Sequence, residues 1–347
     1  MKIIFDDIIF SLQNAGGISE LYSQINKFLC GDISHIFYDN AKNNIVFNKV
    51  EGHQYIERSS SFLPIKRFMD LNVISNTPYI FHSTYYRISK NKNAINITTI
   101  HDFMYEIYRH DLKSLLHKKQ KKKAVFNSDG IICISNNTKK DLLKYYPAFD
   151  RPITVIYNGY DDKTYRFKNC ARKKTIVYTG GRKGYKSFPL AVKIAREMKE
   201  YQFLIIGGGD LSSEEQKILS GIDFTKYGFM SSKDLADIYN EAFIFLYPSE
   251  YEGFGITPIE AQACGCLVAC QMTSSLPEVV HDTAIPIIPW RLDETIKMIK
   301  DYENNHEQYI KTQVAGLTNT KRFSWTKCAQ QYYDYYLELF EKRSCKS

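Results

Sequence analysis

The chain has 347 residues, enough for about two domains of roughly 150 residues each. Its formal net charge of +8 and its composition, 44% hydrophobic and 24% charged, are those of an ordinary soluble globular protein. The positive excess suits an anionic ligand or an anionic membrane surface; with no binding motif beside the charge, nucleic acid is not expected as a partner. No apolar run approaches the ~20 residues of a membrane span, and the opening MKIIFDDIIF, cut by Asp6 and Asp7, does not read as a signal peptide.

Short apolar runs at residues 2–5, 35–38, 79–83, 96–100, 130–135 and 153–157 predict buried strands, with helices at 18–28, 111–127 and 137–145 between them. The polar, irregular segment 158–174 predicts a linker. The rhythm then restarts, with strands at 175–180, 203–208, 242–249, 265–270 and 284–288 and helices at 188–200, 232–241 and 258–264. An aromatic helix is expected at 324–342. Strand–helix alternation implies parallel sheets covered on both faces, an α/β fold with two doubly wound domains, 1–160 and 161–324. Such sheets bind ligands at the carboxyl ends of their strands, so function is sought in the loops there.

After the strand at 175–179 comes GGRKGYKSF. Gly180 and Gly181 permit a tight turn, and Arg182 and Lys186 precede a helix that Ser187 can cap. Two cations at a helix N-terminus predict a diphosphate site; a solvated basic loop is the plainer alternative. FLIIGGGD lacks GxGxxG spacing and reads as a tight turn, which argues against a dehydrogenase. In SEYEGFGITPIEA, from Ser249 to Ala261, the glycines Gly253 and Gly255 expose backbone N–H groups. Thr257, Pro258 and Glu260 read as a helix start: a capping Thr, Pro at the first helical position and Glu at the third. Capping does not account for Glu252, placed where a carboxylate can accept hydrogen bonds from sugar hydroxyls. The cysteines in ACGCLVAC (Cys264, Cys266, Cys270) read as buried thiols, and reduced thiols suit the cytoplasm. No DxD-type metal signature stands near the second-domain loops. The acidic pairs Asp6–Asp7 and Asp161–Asp162 are not expected to bind metal.

Glu252 and Glu260, spaced E-x7-E within EGFG-x-x-P-x-EA, together with GGRKGYK upstream, resemble the retaining nucleotide-sugar glycosyltransferases of family four, which have the GT-B fold. Resemblance extends to AGGIS (Gly16 and Gly17), TIHD (His101 and Asp102), ISNNTKKDL, VIYNGYD, the loop KYGFMSS carrying Phe229, and FSW, where the family's terminal helix crosses back to the first domain. It implies that residues 325–347 pack on domain 1–160, that the first domain binds acceptor, and that the second binds donor.

By the same resemblance, Glu260 holds the ribose and Glu252 the donor sugar. Phe254 and Ile256, with the backbone of Gly253 and Gly255, line that pocket, and Arg182 and Lys186 grip the diphosphate. Gly16 and Gly17 let the first-domain loop approach it, His101 contacts donor sugar or acceptor, and Asp102 orients His101 or binds acceptor. No metal or other cofactor is required, because these cations neutralise the leaving group. The loop GGRKGYKSF is similar to loops of mannosyltransferases, so the expected donor is GDP-mannose. The expected acceptor is a glycan or a lipid-diphosphate-linked oligosaccharide in O-antigen or capsule synthesis. The basic run 117–123 suits contact with the anionic inner face of the cytoplasmic membrane. A UDP-sugar donor, or a non-catalytic nucleotide-sugar-binding subunit, are the alternatives.

Overall fold

A computed structural model describes residues 1–344. The chain divides into two units: Met1–Gly159 with the terminal helix Trp325–Ser344, and Tyr160–Ser324.

The first unit is built on seven strands: β1 (Lys2–Asp6), β2 (Asp32–Tyr38), β3 (Gln54–Arg58), β4 (Tyr79–Ser83), β5 (Ala94–Ile100), β6 (Gly130–Cys133) and β7 (Ile153–Val155). They pair in parallel in the order β3-β2-β1-β4-β5-β6-β7. Every residue of β5, AINITTI, is buried, as expected of a strand covered on both faces. The edge strand β3, QYIER, is exposed along most of its length; lacking an apolar run, it escaped the sequence pattern.

The second unit has six parallel strands: β8 (Lys173–Thr179), β9 (Gln202–Ile206), β10 (Phe224–Tyr227), β11 (Ala242–Tyr247), β12 (Leu267–Cys270) and β13 (Ile285–Pro286). Their order is β10-β9-β8-β11-β12-β13. The strand expected over 284–288 shrinks to two residues, because Pro286 has no N–H to offer a ladder. Edge strand β10 was also unanticipated, as were the helices Leu292–Asn304 and His306–Thr320.

The terminal helix completes the core of the first unit. Tyr336 Oη lies 2.6 Å from His82 Nδ1, and Tyr332 Oη lies 3.2 Å from Thr99 Oγ1. Tyr335 donates to the Pro152 carbonyl at 2.9 Å. Gly130 is required here, since a Cβ at that position would run into the Tyr335 hydroxyl and Leu339. Burial drives the pKa of His82 down to about 3, so its neutral ring bridges Tyr336, Thr99 and Tyr22.

Candidate functional site

In the second sheet, strand order reverses between β8 and β11. Ligand crevices in doubly wound sheets open at such a switch point. The loops after these two strands are the two segments singled out from sequence, and the structure laces them together. Lys186 Nζ donates to Glu252 Oε1 at 2.6 Å. Their side chains are 22% and 14% exposed, shielded yet open to a ligand. The ammonium lies 5.4 Å from the Tyr247 ring centroid. Burial, then the charge of Glu252, pushes the Tyr247 hydroxyl far above its ordinary pKa. Glu250 N donates to Tyr185 O at 2.8 Å, and Ser187 Oγ to Glu250 Oε1 at 2.6 Å. Ser187 therefore does not cap the following helix Phe188–Glu197 as expected; it sits in left-handed backbone and spends its hydroxyl on the neighbouring loop.

A third loop, after β12, scaffolds the second. Thr273 Oγ1 donates to Glu250 O at 2.6 Å and Ser274 Oγ accepts from Glu252 N at 2.9 Å. Ser275 Oγ donates to Glu252 O and Phe254 O at 2.9 and 2.7 Å. The hydroxyl-rich QMTSS, Gln271 to Ser275, was not singled out from sequence, although a run of hydroxyls at a strand end is the signal that could have found it.

The helix after the glycines spans Ile256–Ala263, with Gly255 at its N-cap position. The expected capping box is therefore absent: Pro258 is the third helical residue and Glu260 the fifth. Gly255 starts the helix from φ 104°, and a Cβ there would stand 2.8 Å from Leu276 Cδ2. Phe254 is buried edge-on against Phe323, ring centroids 5.6 Å apart. Ile256 and Glu260 are half-buried. The charge of Glu260 adds to burial in raising the hydroxyl pKa values of Tyr165 and Tyr239. Phe229 is 85% exposed, just ahead of the helix Ser232–Glu241. Arg172 spans the far ends of this helix and the Ile256–Ala263 helix, donating to Tyr239 O (2.8 Å), Ala242 O (3.2 Å), Cys264 O (3.2 Å) and Gly265 O (2.6 Å). A cation there complements both helix C-termini.

Arg182 is not an open cation. Its side chain is 2% exposed. It donates to Gly207 O (2.9 Å), Asp210 O (2.7 Å) and Glu215 Oε1 (2.9 Å), with a longer contact to Gly209 O (3.2 Å). These bonds brace a turn of three left-handed glycines, Gly207, Gly208 and Gly209 (φ 80°, 75° and 73°). Burial is the largest single influence on the pKa of Glu215 and raises it, but the hydrogen bonds from Arg182 and Ser212 and the charge of Arg182 together outweigh it, and the net shift is downward.

In the first unit, His101 and Asp102 follow β5. Burial, with a smaller contribution from Lys121, lowers the pKa of His101 to about 4, against the opposing pull of Asp102. His101 is thus neutral at pH 7. Tyr22 faces it edge-on at 6.3 Å. Tyr22 rides on the helix Gly17–Phe28, whose N-cap residue Gly16 accepts from Ser19 Oγ at 2.9 Å. At Gly17 a Cβ would meet nothing within 4 Å.

Lys121 corrects the reading of the basic run. Instead of facing a membrane it is fully buried, donating to Asp102 O at 2.9 Å and Glu106 Oε2 at 2.8 Å, 4.6 Å from the Phe103 ring centroid. His117 is buried too, stacked on Tyr105 at 4.0 Å. Sequence reasoning missed Lys121 as the support of the histidine loop because flanking lysines masked a single inward-facing position.

Among the described residues, no group of three or more His, Cys, Asp or Glu side chains is placed to hold a metal ion. Asp6 pairs with Arg87 and Asp7 with His35. Asp161 accepts from the backbone of Lys163 and Thr164. Cys264, Cys266 and Cys270 are buried free thiols.

Residues 161–319 match the family described as glycosyl transferases group 1, and residues 42–164 match Glycosyltransferase Family 4. The two matches run on from one another, and the architecture of two parallel sheets is the GT-B fold seen in glycosyltransferases. The O-antigen chain mannosyltransferase B of Escherichia coli is 37% identical over 105 residues, 30% of this chain and 27% of that one; the chain thus matches about a quarter of that relative's length. An uncharacterised glycosyltransferase of Methanocaldococcus jannaschii is 25% identical across 98% of this chain and 99% of its own. Among solved structures, sucrose-phosphate synthase from Thermosynechococcus elongatus superposes with a TM-score of 0.75, at 19% identity, over 99% of this chain and 100% of that one. Anabaena HepE in complex with UDP and glucose gives 0.69, at 14% identity, over 96% and 99%.

Proposed function

We propose that the chain transfers a hexose, with GDP-mannose as the first candidate donor, to a glycan or lipid-linked glycan in surface polysaccharide synthesis, with retention of anomeric configuration and without a metal. The observation that carries this reading is the Lys186–Glu252 pair at the switch point, held by three interlocked loops. The partial likeness to the E. coli mannosyltransferase supports mannose as the sugar.

In this reading Lys186 receives the diphosphate. Its ammonium has two further N–H donors beyond the one given to Glu252. Charge builds on the departing diphosphate as the anomeric bond breaks, so a cation fixed in place stabilises the transition state more than the ground state. Glu252 takes sugar hydroxyls, and Glu260 takes the ribose. The backbone of Gly253 and Gly255 lines the sugar pocket together with Phe254 and Ile256, and Phe229 contacts the base. Arg182 serves chiefly by bracing the glycine turn; contact with phosphate requires it to exchange one of its present acceptors. His101, kept neutral, contacts donor sugar or acceptor, positioned by the Asp102 loop. Gly16 and Gly17 approach the diphosphate. The reaction is placed in the cytoplasm, at the inner membrane face.

The test is ligand-dependent melting with GDP, UDP, ADP, dTDP and their sugars. A nucleotide at about 100 times its Kd stabilises by ~2.7 kcal/mol. GDP is expected to raise the midpoint most, and Glu260→Ala to abolish the shift. A shift with UDP alone replaces the mannose assignment with a UDP-sugar. No shift with any nucleotide overturns the donor site.

A further inference from the structure

The second unit carries a cavity that the donor site does not use. It lies at the amino ends of the strands, walled by Lys173 at the start of β8, Tyr201 just before β9 and Phe243 near the start of β11. The loops of Lys186 and Glu252 leave the opposite, carboxyl ends, and a strand the length of β8 separates the two ends by roughly 20 Å. The helix His306–Thr320 supplies another wall, with His306, Tyr309 and Gln313. The cavity holds about 540 Å³, inside the roughly 300–1,000 Å³ of small-molecule sites.

Its walls are aromatic. The Tyr201 and Phe243 rings lie 5.0 Å apart, and Phe243 stacks on Tyr309 at 5.7 Å. Phe167 also lines the cavity and is 41% exposed. It is seated closely: a Cβ on Gly265 would stand 2.6 Å from Phe167 Cδ2. The Tyr309 hydroxyl is buried and makes no well-aligned hydrogen bond among the described residues. Arg172, whose charge reaches it, spends its donors on four carbonyls. A ligand oxygen would satisfy that hydroxyl, as buried polar groups require.

The charges around the cavity are already answered. Lys173 Nζ lies 2.5 Å from Glu241 Oε2, and Lys174 Nζ lies 2.5 Å from Glu200 Oε2 and 3.3 Å from Glu303 Oε1. An anion or a cation would find its counter-charge taken. What remains is aromatic surface beside amide, imidazole and phenol groups. Ring faces attract the electropositive C–H groups of a pyranose, and the polar groups meet its hydroxyls.

We propose that this cavity is a second saccharide site, which takes a neutral sugar or oligosaccharide at the end of the sheet remote from the donor loops. A glycan held there stays beside the enzyme between transfers, because a second contact makes its return an intramolecular event. That consequence rests on the proposed transferase activity; saccharide binding itself does not.

The test is calorimetric titration of the full chain with mannotriose, maltotriose and trigalacturonate, with no nucleotide added. One of the neutral trisaccharides is expected to bind. Phe167→Ala should weaken that binding about three- to tenfold, the value of one aromatic contact. Ile310→Glu, a charge placed on an exposed lining residue, should weaken it as well, with the melting midpoint unchanged. Glu252→Gln, in the donor site, should leave trisaccharide binding as it is. No heat with either neutral trisaccharide at millimolar concentration overturns the proposal. So does binding that Phe167→Ala and Ile310→Glu both retain in full, binding lost in Glu252→Gln, or tighter binding of the charged trigalacturonate. Nucleotide-dependent melting reports on the donor site separately, so either reading can fail while the other stands.

Discussion

Replacing Lys121 with Met tests how the histidine loop is held. Lys121 Nζ lies 2.8 Å from Glu106 Oε2, in a side chain 0% exposed, against a carboxylate 6% exposed. At an effective dielectric constant of about 20, the gross attraction at that distance is ~6 kcal/mol. Most of that is cancelled by removing two ions from water, so the pair itself contributes little net stability. Breaking it is another matter. Lys121→Met leaves Glu106 buried and unpaired, which costs about 3–5 kcal/mol, and frees the Asp102 carbonyl. For a unit of this size each kcal/mol moves the midpoint by about 2–4 °C, so thermal melts should show a fall of roughly 10 °C. Lys121→Met with Glu106→Leu removes both charges and should recover most of that loss. Lys121→Met also removes a charge that lowers the pKa of His101, so that pKa, followed by NMR of the ring, should rise from about 4. A double variant as unstable as the sum of the single variants, or a His101 pKa that does not move, would refute this account.

Acid should act on the first unit. Burial lowers the pKa values of His82 to about 3, His101 to about 4 and His117 to about 3. Each folded-state value lies below that of the unfolded chain, about 6.5, so the unfolded chain binds more protons as pH falls. Their contribution is fully present above pH ~6.5 and is lost as pH drops toward 4, by up to ~1.4 kcal/mol per pH unit for each histidine. Urea midpoints that stay level between about pH 7.5 and 5 would contradict it. In the second unit, Gly208→Ala places a Cβ 2.7 Å from Gly180 O and against the Arg182 guanidinium, in left-handed backbone. A destabilisation of about 1–3 kcal/mol with weakened nucleotide binding is expected; binding equal to wild type would show that the Arg182-braced turn does not shape the donor site.

The fold was legible where strands are buried on both faces. AINITTI and AFIFLY declare themselves by apolar content alone, and the loops after β8 and β11 stand out because glycines and charges are unusual at strand ends. Edge strands were not legible, because QYIER is largely exposed, FTKY is only half-buried, and neither carries an apolar run. Within the site, the sequence placed Lys186 and Glu252 on neighbouring loops but could not show them paired. It also could not show that Arg182 turns inward, since a guanidinium that braces carbonyls and one that meets solvent look alike in a string of letters. Lys121 makes the same point, because helix phase rather than residue type separates it from Lys119 and Lys122. The capping box failed because Gly255, in left-handed backbone, starts the helix earlier than Thr257 suggested.

The terminal helix has a consequence for how the protein is made. Its tyrosines close the interior of the first unit, yet in the chain they follow the whole of the second. During vectorial synthesis the second unit is complete in sequence before the first can be, although domains ordinarily fold in the order of their emergence. The first sheet must therefore wait, with the polar cluster around His82 open to water and lacking its phenol partners, until the helix Trp325–Ser344 has emerged. A chain cut before Trp325 would have a second unit that folds while its first remains unfinished.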